Sequence, residues 1–174
     1  MARSPSPQEE KITPSSLEAA EVVISPDLAE QGASLYDQDF CQWISVTVDL
    51  LQENNFAEVD LEHLIEEIAD MGKSERHALK SNLRVVLMHL LKYKYQPQRR
   101  SRSWLTTIRE HRLRLRESLR NSPSLRPYLL QVFDEAYGDS RKLAADETGL
   151  ALNTFPGLPI FTPEQALDED FLPE

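Results

Sequence analysis

A run of apolar residues near the middle of the chain most constrains the fold. Seven of the nine residues from Leu83 to Leu91 are apolar, and together they leave no wide polar face on a helix. Such a helix needs neighbours on several sides, so we expect it at the centre of a helical bundle, from about Glu75 to Tyr95. Pro97 follows, and the residue before a proline avoids the helical region. With only five glycines and few alternating β-branched runs, the sequence favours an all-α class.

Apolar stripes at helical spacing predict four further helices around this central one. The expected starts and ends are Asp37 to Asn54, Asp60 as N-cap to Gly72, Ser103 as N-cap to Asn121, and about Ser124 to Gly149. An irregular C-terminal strap follows, with one short turn begun by the Thr162, Pro163 and Gln165 capping pattern. The prediction is therefore an all-α, compact bundle of about five helices with an irregular C-terminal strap.

Composition divides the chain into two parts. Residues 1–34 are rich in proline, serine, glutamate and glutamine, and we expect a mostly disordered extension there. Residues 35–174 have the length of a single helical domain. Cys41 is the only cysteine, the N-terminus has no apolar signal core, and no apolar run approaches the length of a membrane span. These features predict a cytoplasmic protein that does not enter the membrane.

Charge is separated along the sequence. Residues 36–75 hold eleven acids and one base, whereas residues 80–120 hold twelve bases and two acids. The formal net charge of -10 argues against non-specific nucleic-acid binding as the dominant property. Pairing of the two segments within the fold is one interpretation, and an acidic surface that engages a protein partner is another.

Polar residues beside the apolar stripes form the first candidate site, which we call the polar nest. Its members are Glu66, Glu67, His89, Lys92, Trp104, Arg109 and Arg112. A carboxylate next to arginine and histidine is how an acid–base or ligand-binding site is assembled, with Glu67 as base or anchor, His89 as proton carrier and Arg112 as anion clamp. The alternative is that these residues only join an acidic layer to a basic one.

The turn after the central helix forms a second candidate, a basic elbow made of Lys94, Arg99, Arg100 and Arg102 with tyrosine and tryptophan interleaved. Such a pattern is typical of nucleic-acid contacts, although cations also stabilise the C-terminus of a helix. His63, Glu67, His89 and His111 are residue types that bind zinc or iron. Because the sequence has no HExxH motif and no cysteine set, we expect no metal and no cofactor.

Six segments of the chain form a recognisable series: Tyr36 to Phe40 with Trp43, Asp60 to Ile68 with Met71 and Gly72, His89 to Lys92, Arg99 to Trp104 with Ile108 and Arg109, Ser122 to Leu125, and Leu167 to Pro173. Their order resembles the bacterial domain of unknown function 29 family, which is abundant in cyanobacteria. The resemblance implies a compact helical domain over residues 35–173. It implies no reaction, cofactor or catalytic residue.

The sequence therefore favours a non-enzymatic protein-interaction module with an unidentified protein partner. Two alternatives stay open. One is a ligand-binding protein or enzyme that uses the polar nest, and the other is a nucleic-acid-associated regulator that acts through the basic elbow.

Overall fold

The computed structural model describes residues 34–174, so nearly all of the predicted N-terminal extension lies outside the described residues. The chain divides into two compact units, with the boundary between Val59 and Asp60. Six α-helices are present in the described part, and none of its residues forms a strand. The prediction of an all-α fold is confirmed.

The described residues of the first unit form two helices, α1 (Leu35–Gln38) and α2 (Phe40–Gln52). Asp39 separates them because its extended backbone ends α1 while its carboxylate accepts a hydrogen bond from the Gln42 amide. The predicted single helix from Asp37 is therefore two helices. Trp43 is buried, and its ring packs edge-on against Tyr36 with 5.0 Å between ring centroids.

The second unit is built around α3 (Leu61–Tyr95), with Asp60 as its predicted N-cap. Helices α4 (Arg102–Asn121) and α5 (Leu125–Thr148) pack against α3, and α6 (Pro163–Leu167) lies in the C-terminal strap. Short 3₁₀ helices occur at Pro97–Arg99 and Leu152–Thr154. As predicted, α3 is the central element and the chain after α5 is an irregular strap.

The expected helix break at Gly72 is wrong. The two helices predicted on either side of Gly72 are one continuous helix of 35 residues, which is roughly 52 Å long. Gly72 does not have the positive backbone φ of a C-terminal cap, whereas Gly149 does, at φ 70°. A glycine without the rest of a capping motif costs a helix only about 1 kcal/mol, which the flanking helix formers offset.

The core of the second unit begins part-way along α3. No residue from Leu61 to Ala78 is buried, whereas Leu79 and Leu83 are fully buried against α4 and α5. The strap closes the other side of this core with Phe155 and Phe161. We call residues 61–77 the arm and the packed residues 79–174 the bundle.

Two smaller differences concern helix starts and charge. Ser101, not Ser103, caps α4, because its hydroxyl accepts a hydrogen bond from the Trp104 amide at 3.4 Å. Three bases in the packed part of α3 pair with acids of α5, whereas Lys73 in the exposed part pairs with Asp70, which precedes it in the same helix. The three salt bridges with α5 are Lys80 to Glu135, Arg84 to Asp139 and Lys92 to Glu147.

Candidate functional site

The predicted polar nest is not formed as a single cluster. Because α3 is continuous, Glu67 and His89 lie roughly 33 Å apart along one helix at 1.5 Å per residue. Glu66 is exposed in the arm, and Arg109 is exposed on α4. The structure brings together only Lys92 and Trp104 from the original set, with His89 one helical turn before Lys92.

Lys92 is a buried ammonium with two partners. It forms a salt bridge with Glu147 on α5, and its nitrogen lies 4.6 Å from the centre of the Trp104 ring. A carboxylate and an aromatic face together replace the water that burial removes from the ammonium. This arrangement ties α3 to α4 and α5, which is a structural role.

His89 is also buried, and its Nδ1 lies 2.9 Å from the Val85 carbonyl in the preceding turn of α3. A carbonyl only accepts, so Nδ1 carries the proton and Nε2 is the basic nitrogen of the neutral ring. Burial lowers the pKa of His89 from 6.5, and the nearby positive charge of Lys92 adds to that shift. His89 is therefore neutral at pH 7.

Arg112 is fully buried and holds the strap. Its guanidinium donates to the main-chain carbonyls of Gln165 and Ala166 at 3.0 Å and of Glu169 at 3.4 Å. Burial lowers its pKa to about 10, so it stays charged at neutral pH. The carbonyls of Gln165 and Ala166 lie at the C-terminal, negative end of α6, where a cation is favoured, and Glu169 follows just beyond that end. Because its donors face main-chain oxygens, Arg112 is not placed as an anion clamp.

The basic elbow has two kinds of residue. Lys94 donates to the Glu174 main-chain oxygen at 3.2 Å, and Arg100 donates to the carbonyls of Tyr93 at 2.9 Å and Pro173 at 3.4 Å. Arg99 and Arg102 are exposed. Half of the predicted nucleic-acid set therefore fastens the C-terminal tail to the end of α3.

The histidines proposed for a metal site are apart. His63 on the arm pairs with Asp60 at 2.6 Å, whereas His111 on α4 pairs with Asn82 of α3 at 2.7 Å. Within residues 34–174 there is no group of three metal-ligating side chains close enough to hold an ion. No helix in this part of the chain is both long and apolar enough to cross a membrane.

The arm carries an exposed apolar face, which none of the predicted sites includes. Leu61, Ile65, Ile68 and Met71 are between 52% and 68% exposed, although their helical spacing predicts a stripe that is buried. Their steps of four, three and three put them on one face of α3. Glu62, Glu66 and Asp70 are exposed beside them. The apolar spacing predicts a helix face that is buried, but it does not indicate whether the residues that bury this face belong to the same chain or to a partner.

Comparison with known proteins now adds a family. The model of the domain of unknown function DUF29 matches residues 35–172, nearly all of the described chain. The chain belongs to the DUF29 family. No curated protein matches the sequence, and no solved structure does. Membership in DUF29 therefore confirms the family that the sequence resembled and assigns no reaction.

Proposed function

We propose that this DUF29 protein is a non-enzymatic protein-interaction module of the bacterial cytoplasm, and that its arm is the binding element. The observation that carries the proposal is the exposed apolar stripe of the arm. Ile65, Ile68 and Met71 are each at least 60% exposed. A contiguous apolar face of this kind on a helix is typical of a protein-binding surface.

The charges of the arm indicate the chemistry of the partner. Residues 61–77 contain five acids and two bases, and the acids Glu62, Glu66 and Asp70 flank the stripe. Complementarity favours a surface with apolar pockets and a basic rim. Such a partner buries the isoleucines and neutralises the carboxylates at the same time.

The buried polar groups of the bundle also support a non-enzymatic role, because each of them has partners within the chain. Lys92 is held by Glu147 and Trp104, and Arg112 by three main-chain carbonyls. Ligand binding there requires one of these groups to exchange a buried partner for the ligand. The enzyme and nucleic-acid alternatives have no comparable support and stay hypotheses.

A paired-variant capture experiment tests the proposal. Tagged wild-type protein, the double variant Ile65→Asp/Ile68→Asp and the control Leu158→Asp are used to retain partners from the native lysate, with and without nuclease. Leu158 is the matched control because it is 80% exposed and lies in the strap, away from the arm. Each retained protein is then purified and titrated against all three.

We expect a partner that survives nuclease, binds the wild type and the Leu158 variant equally, and binds the arm variant at least about tenfold more weakly. Losing one buried isoleucine costs roughly 1.5–3 kcal/mol, and 1.4 kcal/mol is a factor of ten. A second copy of the chain counts as a partner. Equal binding by the arm variant, or retention of nucleic acid alone, would contradict the proposal.

A further inference from the structure

A second surface of the bundle has the properties that the arm requires of a partner. Two adjoining cavities, of about 150 and 490 Å³, lie between the end of α4, the start of α5 and α6. They share Leu119, Arg126, Glu164 and Leu167 as lining residues. Leu129 and Leu130 extend the apolar side of the smaller cavity, and Leu130 is 58% exposed. We call this surface the groove.

Arginines give the groove a basic rim. Arg116 and Arg120 on α4 line the larger cavity together with Arg126 on α5. Arg116 forms a salt bridge with Glu169, but Arg120 and Arg126 have none among residues 34–174. The carboxylates of Glu164 and Asp168 also line the groove. A hydrogen bond from its own amide, and next one from Thr162, lower the pKa of Glu164, whereas Asp168 accepts a hydrogen bond from the Asp170 amide and its charge acts on buried Arg112. Arg116 and Asp168 each have a partner within the bundle, so two guanidinium groups remain against the one carboxylate of Glu164, and the charge left for a bound acidic segment is positive.

We propose that the occupant of this groove is the arm of a second copy of the same chain. The stripe of Ile65, Ile68 and Met71 supplies apolar side chains of the size that the leucines of the groove can cover. The flanking carboxylates of Glu62 and Glu66 meet the rim of Arg120 and Arg126, whereas Asp70 pairs with Lys73 at 2.7 Å within the arm. This inference rests on the proposed function, because it names the partner of the same arm.

The positions of the arm and the groove allow a reciprocal pair. The arm leaves the bundle near Arg76, whose guanidinium lies 5.9 Å from the centre of the Tyr128 ring. Tyr128 lies between Arg126 and Leu130 in the first turns of α5, so the base of the arm and the groove occupy the same end of the bundle. In a two-fold pair, each arm enters the groove of the other copy.

One side of the arm is large enough to supply an interface of ordinary size. One face of a helix of this length covers about 400 Å², taking half of a cylinder about 10 Å across and about 25 Å long. Each copy contributes one arm and one groove, which gives about 800 Å² per partner, the size of an ordinary specific interface. A single arm in a single groove buries half of that area and is correspondingly weaker.

Measurement of the mass in solution, with variants on each side of the contact, tests the inference. The mass is determined by analytical ultracentrifugation up to about 100 μM, so that a micromolar interface is populated. The arm variant is Ile65→Asp/Ile68→Asp, the groove variant is Arg120→Glu/Arg126→Glu, and the control is Leu158→Asp. Leu130→Ser provides a second groove variant that leaves the charges unchanged. Far-UV circular dichroism verifies that each variant is folded.

We expect the wild type and the control to be dimers and the arm and groove variants to be monomers. Mixing the arm variant with the groove variant should then give a one-to-one heterodimer, because one intact arm meets one intact groove. That heterodimer should bind more weakly than the wild-type dimer and dissociate further as salt is raised.

Three outcomes overturn the inference: a wild type that is monomeric throughout, groove variants that dimerise like the wild type, or a mixture that forms no heterodimer. Its failure is distinguishable from failure of the proposed function. A monomeric wild type whose arm variant loses another captured protein overturns only the self-association. An arm variant that loses no partner overturns the proposed function as well.

Discussion

The ammonium nitrogen of Lys92 on α3 lies 4.6 Å from the centre of the Trp104 ring on α4. The same ammonium pairs with Glu147 on α5, so one buried cation connects three helices. The side chain of Lys92 is 7% exposed and that of Glu147 is 46% exposed. The cost of losing water on burial therefore falls mainly on the Lys92 ammonium, which needs its partners, and not on the Glu147 carboxylate.

Removing only the carboxylate should destabilise the bundle. Glu147→Gln leaves the buried ammonium with the aromatic face alone, and we expect a loss of about 1–2 kcal/mol, less than for a fully buried pair because Glu147 is half exposed. The double variant Lys92→Met/Glu147→Gln should recover much of this loss, since no buried charge remains. Urea denaturation of the three proteins measures both steps. A Glu147→Gln variant as stable as the wild type would contradict the assignment.

The strap should depend on Arg112 in the same way. Arg112→Met leaves three main-chain carbonyls without their donor, and we expect a loss of about 3 kcal/mol or more at roughly 1 kcal/mol or more for each buried unpaired group. Arg112→Lys should recover only part, because one ammonium does not reproduce the fork of a guanidinium. Arg109→Met is the control on the exposed face of α4, and its effect should be within about 0.5 kcal/mol. Comparable losses for the residue-109 and residue-112 variants would exclude this role.

Stability should fall as the pH is lowered through the histidine range. Burial holds the pKa of His89 below 6.5 in the folded state. The hydrogen bond to the Val85 carbonyl and the charge of Glu147 act in the opposite direction, and the charges of Lys92 and His111 act in the same direction as burial. The unfolded chain therefore takes up a proton near pH 6.5 that the folded chain refuses, so this stability is present above pH 6.5 and is lost below it. Burial lowers the pKa of His111 as well, with the same sign.

The test compares wild type and His89→Gln by urea denaturation at pH 7.5 and pH 5.5. Between pH 7.5 and pH 5.5 the wild type should lose more of its free energy of unfolding than His89→Gln does. The difference between the losses of the two proteins is the contribution of His89. Carboxylates that titrate in both proteins cancel in this comparison. Equal losses would mean that His89 takes up its proton between pH 7.5 and pH 5.5 as readily in the folded protein as in the unfolded chain.

Local sequence patterns predicted most of the helices, but not which residues meet in space. Asp60, Gly149 and the Thr162 capping box stand where the sequence placed them, because caps depend on a few neighbouring residues. The polar nest depended on Glu67 and His89 lying on different helices. Once α3 runs without a break, its own length separates them.

The exposure of the arm could not be predicted from the sequence either. A stripe such as Ile65 and Ile68 looks the same whether its cover is in the same chain or in a partner. Burial of Arg112 was partly foreseen, since its position flanks the apolar stripe of α4. Its carbonyl partners in the strap, Gln165 and Ala166, lie 53 and 54 residues away in the chain, and no local pattern indicates such a distant contact.

The continuity of α3 can be tested by substituting two glycines that have opposite backbone conformations. At Gly72 a methyl group would meet nothing within 4 Å and the backbone lacks a positive φ, so Gly72→Ala should strengthen the helix by up to about 1 kcal/mol. At Gly149 the space is equally open but φ is 70°, so Gly149→Ala should weaken the cap by about 1–2 kcal/mol. Because the free space is the same at both positions, only backbone conformation distinguishes them.

Amide hydrogen exchange around each site measures this difference locally, where a global unfolding experiment would miss fraying of the arm. Exchange of the amides of residues 69–76 should slow in Gly72→Ala, and exchange at the end of α5 should quicken in Gly149→Ala. Faster exchange around residue 72 would mean that Gly72 is a cap or hinge. The arm would then be a separate helix, and its direction relative to the bundle would not be fixed by the rest of α3.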